Sequence, residues 1–232
     1  MTQRNISIDQ FVQNQVKKWE LAHTRNKTKK GARLPVITIA MQPGSGGSLI
    51  AGKLAERLEF DWYHRDVVEQ IAKSAKIRSA VVNTLEKKRR TGVEDFISSL
   101  IEDQYLHPDS YLNHLLVVIS TIAKHGHAVI VGRGANFILP PEDIFSVRVI
   151  APLETRVKNV AVAYRVSTRE ARKRVMQRQS KRKAFVRQSF HADISDPLHY
   201  DLVVNTGKIS IEAAVEAIIA AVMQVGNDKK GR

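Results

Sequence analysis

The segment that most constrains this chain is a strand, a glycine-rich turn and a helix in direct succession. Val36–Met41 (VITIAM) is a continuous, largely β-branched run, Pro43–Ser48 (PGSGGS) breaks it, and Ile50–Leu58 (IAGKLAERL) repeats Ile50, Leu54, Ala55 and Leu58 at helical spacing. A strand with no polar alternation is buried on both faces, as in a parallel sheet covered by helices. Gly44, Ser45, Gly46 and Gly47 between such a strand and a helix suit a phosphate nest, because glycines let successive amides turn toward one anion at the positive end of the helix. The same turn also serves plain packing, and the pattern alone does not separate the two.

The rest of the chain repeats the alternation. Buried runs at Ala128–Val131, Phe145–Ile150 and Leu202–Asn205 read as strands, with a short apolar run at Phe60–Tyr63. Helical periodicity covers Ile8–Leu21, Asp66–Ala75, most of 78–126 and Ile209–Val225, with a weak break near Thr91-Gly92 and a sharper one at His107-Pro108. Strands alternating with helices predict an α/β fold with a parallel sheet. No internal repeat is evident. The longest apolar run, Leu115–Ala123, is interrupted by Ser120 and Thr121 and is far too short to span a membrane. The N-terminus lacks an apolar signal region, so the expectation is a cytoplasmic globular protein with no membrane partner. The absence of cysteine excludes a disulfide scaffold, a thiolate metal site and a cysteine nucleophile.

Charge is distributed unevenly. Of 37 Lys and Arg against 23 Asp and Glu, residues 1–34 hold eight basic and two acidic, and residues 156–187 hold twelve basic and only Glu170. These two segments carry the whole excess of +14. Such a surplus points to a polyanion: nucleotide phosphates, nucleic acid or an acidic surface. The basic region 156–187 contains Arg156, Arg172, Arg174, Arg178, Lys181, Arg182 and Arg187, which repel one another on a helix unless they meet an anion. Nucleic-acid surfaces often interleave aromatics among the cations, and only Phe185 and Phe190 lie nearby. The balance therefore favours a phosphate-closing lid over a nucleic-acid surface, with a solvated basic face as the bland alternative.

Taken in order, VITIAMQPGSGGSLIAGKLAERL, WYHRDVVEQIA, VIVGRGAN, VRVIAPLETRVKNV, KRKAF and YDLVVNT resemble the cytidylate kinase-like family of P-loop kinases, roughly over residues 35–222. The resemblance implies a P-loop kinase-type three-layer sandwich with a five-stranded parallel sheet, a helical acceptor-side insert at about 78–126 and a basic lid at about 156–192. That domain would span 35–225, preceded by an N-terminal helix and basic linker (1–34) and followed by a polar tail (226–232). The implied reaction is transfer of the γ-phosphoryl group of ATP, with Mg²⁺, to a nucleoside monophosphate of the CMP or dCMP kind. The implied partners are therefore nucleotides; the oligomeric state is not legible.

The resemblance assigns residues as well as departures. Gly44, Ser45, Gly46, Gly47 and Ser48 become the cradle for ATP phosphates, yet Ser48 stands where the family places Lys or often Arg. Ile50 stands at the position of the metal-binding Ser or Thr, so the metal ligands are unassigned. A second register, Gly47 to Gly52-Lys53, fits GxxxxGK formally, but it would consume the first turns of the helix and reads as coincidental. Arg133, directly after a strand, corresponds to an acceptor-phosphate arginine, while Gly134 replaces the family's Asp; the competing role is a loop arginine paired with a carboxylate. His64, Arg65 and Asp66 fall in the acceptor region. His64, where relatives carry Asp, is either a base or a structural donor, and Asp66 either a substitute carboxylate or a helix cap. Arg156 matches the first lid arginine and Arg182 the second acceptor-phosphate arginine, with Gln179 in place of the family's Asp. The expected catalytic set is thus Arg133, Arg156 and Arg182, and the acceptor set His64, Arg65, Asp66, Arg133, Gln179 and Arg182. The turn after Asn205 would lie close to the adenine or the P-loop, and Asp201 before that strand serves equally well as a cap. Loss of the loop lysine and the metal hydroxyl leaves a catalytically impaired nucleotide-binding protein as the alternative, with a nucleic-acid-binding protein as the second.

Overall fold

The computed structural model describes residues 7–25, 34–85, 87–103 and 110–228. Beyond Arg25, the basic stretch Arg25–Arg33 lies outside them, as do the break at His107-Pro108 and residues 229–232 of the polar tail. The chain divides into two compact units, a helical one formed by Met1–Ala32 with Arg65–Gly126, and one built on a sheet, formed by Arg33–His64 with His127–Arg232.

In the sheet unit, β1 (Val36–Met41), β2 (Asp61–Tyr63), β3 (Ala128–Val131), β4 (Ile144–Ile150) and β5 (Leu202–Asn205) form one parallel sheet in the order β2-β3-β1-β4-β5. The glycine-bearing strand β1 is central, pairing Ile37 with Val129 on one side and with Phe145 on the other. Burial of every residue in β3, and of all but the last in β1 and β4, matches the unbroken apolar runs in the sequence. On one face Ile37, Ile39, Val147 and Val149 pack against Ile50 and Leu54 of α2 (Gly47–Leu58) and Ile218 and Val222 of α10 (Ile211–Asp228). Each such side chain contributes about 1.5–3 kcal/mol by leaving water, so this cluster is what fixes α2 under the glycine turn.

The region 153–190 is not one basic helix but two. It divides into α8 (Leu153–Tyr164) and α9 (Thr168–Phe190), turned at Arg165 in a left-handed conformation (φ 52°). Ser167 caps α9 by accepting from the Glu170 amide at 3.2 Å, the start of a Ser-x-x-Glu pattern. Val157, Val160, Ala171 and Val175 zip the two helices together. A short helix, α7 (Ala135–Ile138), follows β3 and packs on β1.

The helical unit holds α1 (Ile8–Arg25), α3 (Arg65–Lys73), α4 (Ala75–Asn83), α5 (Lys87–Asp103) and α6 (Ser110–His125). The N-terminal helix packs on α3 and α4 and buries Phe11, Val12 and Trp19, whose indole stacks on His125 at 3.9 Å between ring centroids. Thr91-Gly92, expected as a weak break, lies inside α5; the chain breaks at Thr84 instead, whose hydroxyl donates to Val81 O at 2.6 Å. One exposed glycine costs a helix only about 1 kcal/mol, too little to end it. The run from Asp66 to Ala75 likewise splits at Ser74, which caps α4 by accepting from the Ile77 amide. No helix among the described residues is long and apolar enough to cross a membrane.

Candidate functional site

The glycine turn is held from behind, through its carbonyls. Gln42 O accepts from the Ser45 amide (3.1 Å) and hydroxyl (2.9 Å), Gly44 O accepts from Asn159 Nδ2 (2.9 Å), and Ser45 O accepts from the Thr206 hydroxyl (2.8 Å). The Gln42 amide donates to Val149 O, and its side-chain oxygen accepts from the Ala151 amide at 3.0 Å, tying the loop to the end of β4. Among the described residues, by contrast, the amides of Gly44, Gly46, Gly47 and Ser48 donate to no backbone or side-chain acceptor within the chain. Anchored carbonyls and open amides at a helix N-terminus are the arrangement that an anion cradle requires.

Two glycines are required there. Gly44 (φ +83°) and Gly46 (φ +80°) are left-handed, and a Cβ on Gly44 would collide with the backbone of Arg156. The loop and the first lid helix therefore touch main chain to main chain. Ser48 is half-buried, its hydroxyl 3.6 Å from Met41 Sδ, and it brings no charge. Ile50 is wholly buried in the core. Lys53 lies within α2 and pairs with Glu212 at 3.1 Å, so the alternative GxxxxGK register is a helix surface.

Arg156 of α8 and Gln179 and Arg182 of α9 lie beside this loop or against one another. Arg156, on α8, is 5% exposed; its Nε donates to Ala151 O (2.9 Å) and its Nη1 to Gln179 Oε1 (2.8 Å). Burial, and then the charge of Arg148, lower its pKa. Arg182 donates through Nη1 to Met41 O at 2.5 Å, at the root of the loop. Gln179, Arg182 and Phe185 are spaced by three along α9 and so share one face. Phe185 of that face lies under the Arg133 guanidinium, 6.0 Å from carbon to ring centroid.

Arg133 itself has φ 55°, between Gly132 (φ 75°) and Gly134 (φ 71°), so three successive residues are left-handed. A non-glycine residue there is strained by about 1–2 kcal/mol. A Cβ on Gly134 would run into the Phe190 ring, which itself stacks on Phe137. Any side chain at 134 would meet this aromatic ring, which comes from the end of α9.

The sheet unit gathers Gly44 to Ser48, Arg133, Arg156, Gln179 and Arg182. His64, at the end of β2, meets Trp62 edge-on at 5.8 Å. Arg65 and Asp66 belong to the helical unit, where Arg65 Nε and Nη2 both donate to Asp66 Oδ1 (3.0 and 2.9 Å). They edge a groove of about 580 Å³ lined by Arg65, Asp66, Glu69, Gln70, Lys73 and Ser74. Asp201 accepts from the Ser146 amide and hydroxyl (2.7 and 2.8 Å) through Oδ2, binding β5 to β4.

Sequence reasoning missed Asn159 and Arg148. Asn159 carries no signal, being one polar residue on a polar helix. Arg148 did carry one: it is a charge inside FSVRVI, a strand otherwise read as buried.

Comparison with known proteins agrees with this architecture. The chain is 25% identical over 190 residues to the cytidylate kinase of Methanocaldococcus jannaschii, covering 81% of this chain and 97% of that one. It is 26% identical over 185 residues to the cytidylate kinase of Ignicoccus hospitalis, covering 80% and 97%. An uncharacterized protein from Eubacterium ventriosum has a similar fold, with a TM-score of 0.62 at 22% identity, over 81% of this chain and 98% of that one. The model of the cytidylate kinase-like family matches residues 36–208, three-quarters of the chain, and the protein belongs to that family.

Proposed function

We propose that this protein transfers the γ-phosphoryl group of ATP to a nucleoside monophosphate, with CMP or dCMP as the acceptor, in the cytoplasm. The observation that carries the reading is the glycine turn: four amides without an acceptor, in a loop that abuts the Arg156 backbone at Gly44 and follows the Met41 carbonyl engaged by Arg182. Phosphoryl transfer asks little covalent chemistry of a protein and mainly requires positioning and positive charge around the transferring group. The loop amides would hold the donor phosphates. Arg182, on one face of α9 with Phe185, and Arg133, steadied by that ring, would orient the acceptor phosphate.

ATP is expected to arrive with Mg²⁺, which would screen the donor phosphates. The chain's own residues do not fit that ion directly: Ile50 offers no oxygen, and no group of three His, Asp or Glu gathers to hold a metal among the described residues. The loop amides and the arginines therefore act on the phosphates alone.

A second reading, a nucleotide-binding protein without turnover, is favoured by neutral Ser48 and buried Ile50. Incubation with ATP, Mg²⁺ and CMP, dCMP or UMP separates the two. Diphosphate product above a mock preparation supports the kinase. ATP binding by calorimetry without product supports the second reading, and absence of ATP binding rejects both.

A further inference from the structure

Arg148 lies at the centre of β4, paired in register with Ala40 of β1 and Val203 of β5. Phe145, Val147 and Val149 turn into the core beneath α2, so the alternation of the strand sets Arg148 on the opposite face. It is 7% exposed, and its Nη1 is buried with no hydrogen-bond partner. On the same face the buried Thr38 hydroxyl also lacks a partner. The Tyr200 ring lies 5.7 Å from the Arg148 guanidinium carbon. Burial lowers its pKa, while the charges of Tyr200 and Asp193 and a hydrogen bond to Tyr200 act in the opposite direction. Asp193 is exposed and engaged by Ser195, its Oδ1 accepting at 2.9 Å from the amide and 2.5 Å from the hydroxyl.

Arg156 is the second buried guanidinium: its Nε donates to Ala151 O, three residues beyond Arg148 and just past the end of β4, and the charge of Arg148 acts after burial to lower its pKa. Its hydrogen-bond partners, Ala151 O and Gln179 Oε1, are both neutral. Two buried cations without a bonded carboxylate are costly in the empty protein. The same arrangement gains most when an anion arrives, because buried charges are weakly screened. It adjoins the glycine loop through the contact of Gly44 with the Arg156 backbone, and that loop has no cation of its own at Ser48.

We propose that Arg148 and Arg156 form a buried cationic seat for the phosphates on the glycine loop, supplying the charge that Ser48 does not, and that neutral Gln179 keeps the seat uncompensated. This deepens the phosphate reading of the loop and rests on it.

The test is titration calorimetry with ATP and, separately, inorganic tripolyphosphate, accompanied by thermal melts. Gln179→Glu gives Arg156 a carboxylate; it is expected to raise Tm and weaken both ligands by about tenfold. Arg148→Met is expected to weaken both by a similar factor, whereas Arg148→Lys, which keeps the charge, stays within about threefold of wild type. If wild type binds and Gln179→Glu binds equally well, the seat is overturned while the loop reading stands. If Arg148→Lys loses as much as Arg148→Met, the role is packing and the proposal fails. If wild type binds neither ligand, the loop reading falls and the seat with it. Gln179→Glu changes only a partly exposed side chain, so it decides the matter even if Arg148→Met does not fold.

Discussion

The arginines of β4, α8 and α9 fall into two populations that the sequence does not distinguish. Arg172 and Arg174, both on α9 and partly exposed, form an outer set, each beside a glutamate: Arg172 with Glu154 at 2.6 Å and Arg174 with Glu170 at 2.8 Å. Arg174 and Arg178 also lie over the Tyr164 ring, at 6.0 and 5.1 Å. Arg156 and Arg148, the inner set, are buried and hydrogen-bonded to no carboxylate: Arg156 is held by Ala151 O and Gln179 Oε1, and Arg148 lies beside the Tyr200 ring and feels the charge of Asp193 without a hydrogen bond to it. The outer set is neutralised locally and screened by water, whereas the inner set, on the proposal above, keeps its charge for an anion on the loop. A count of basic residues therefore overstates the uncompensated charge of this region.

The contact that joins the inner set to the loop is the strongest place to break this contrast. Gly44→Ala is expected to destabilise the protein by about 2–3 kcal/mol, since Ala must adopt a left-handed backbone and its Cβ meets main chain that cannot rotate away. A thermal melt should show Tm lower by roughly 5–10 °C, and ATP binding by calorimetry should be lost. An unshifted melt would mean that loop and lid do not touch as described.

Arg156→Ala removes an inner charge and leaves Gln179 Oε1 and Ala151 O without their donor. ATP affinity is expected to fall about 10–100-fold. Arg172→Ala provides the outer counterpart and the sharpest comparison: ATP affinity within about twofold of wild type and Tm within about 2 °C. Equal losses at Arg156 and Arg172 would erase the distinction between the two populations.

A smaller effect contrasts a buried group held neutral with the buried arginines. Tyr63 of β2 is buried, and burial, followed by the charge of Asp61, pushes its pKa well above the ordinary tyrosine value. A raised pKa means that its contribution to stability is complete below the unfolded value of about 10 and is lost as pH rises through the folded one. Tyr63→Phe is therefore expected to move alkaline unfolding, followed by circular dichroism, to higher pH. No movement would show that Tyr63 does not couple to that transition.

Much of the fold was legible because burial on both faces writes itself as unbroken apolar runs. VITIAM, AVIV, FSVRVI and LVVN all became strands of one parallel sheet, and the apolar period of IAGKLAERL became the helix beneath the loop. Helix boundaries were less legible, because they depended on single hydroxyls. Ser74, Thr84 and Ser167 end or begin helices at places where glycine content suggested nothing, while Gly92 passes unnoticed within α5. Within the site, the glycines and Arg133, Arg156 and Arg182 stood out as residue types. The charge inside FSVRVI was visible too, but nothing in the sequence said whether it faced a counter-ion.

The local pattern of this chain determined its strands, its glycine turn and the position of its basic segments, because each depends on periodicity or backbone freedom over a few neighbouring residues. Which arginines are neutralised and which are left charged, why residue 134 has no room for a side chain, and which loop groups remain open were decided only by tertiary structure. Those properties belong to groups brought together from 23 to 141 residues apart (Arg156 with Gln179, Phe190 with Gly134, Arg182 with Met41), and electrostatic and steric energies depend on their separation in space.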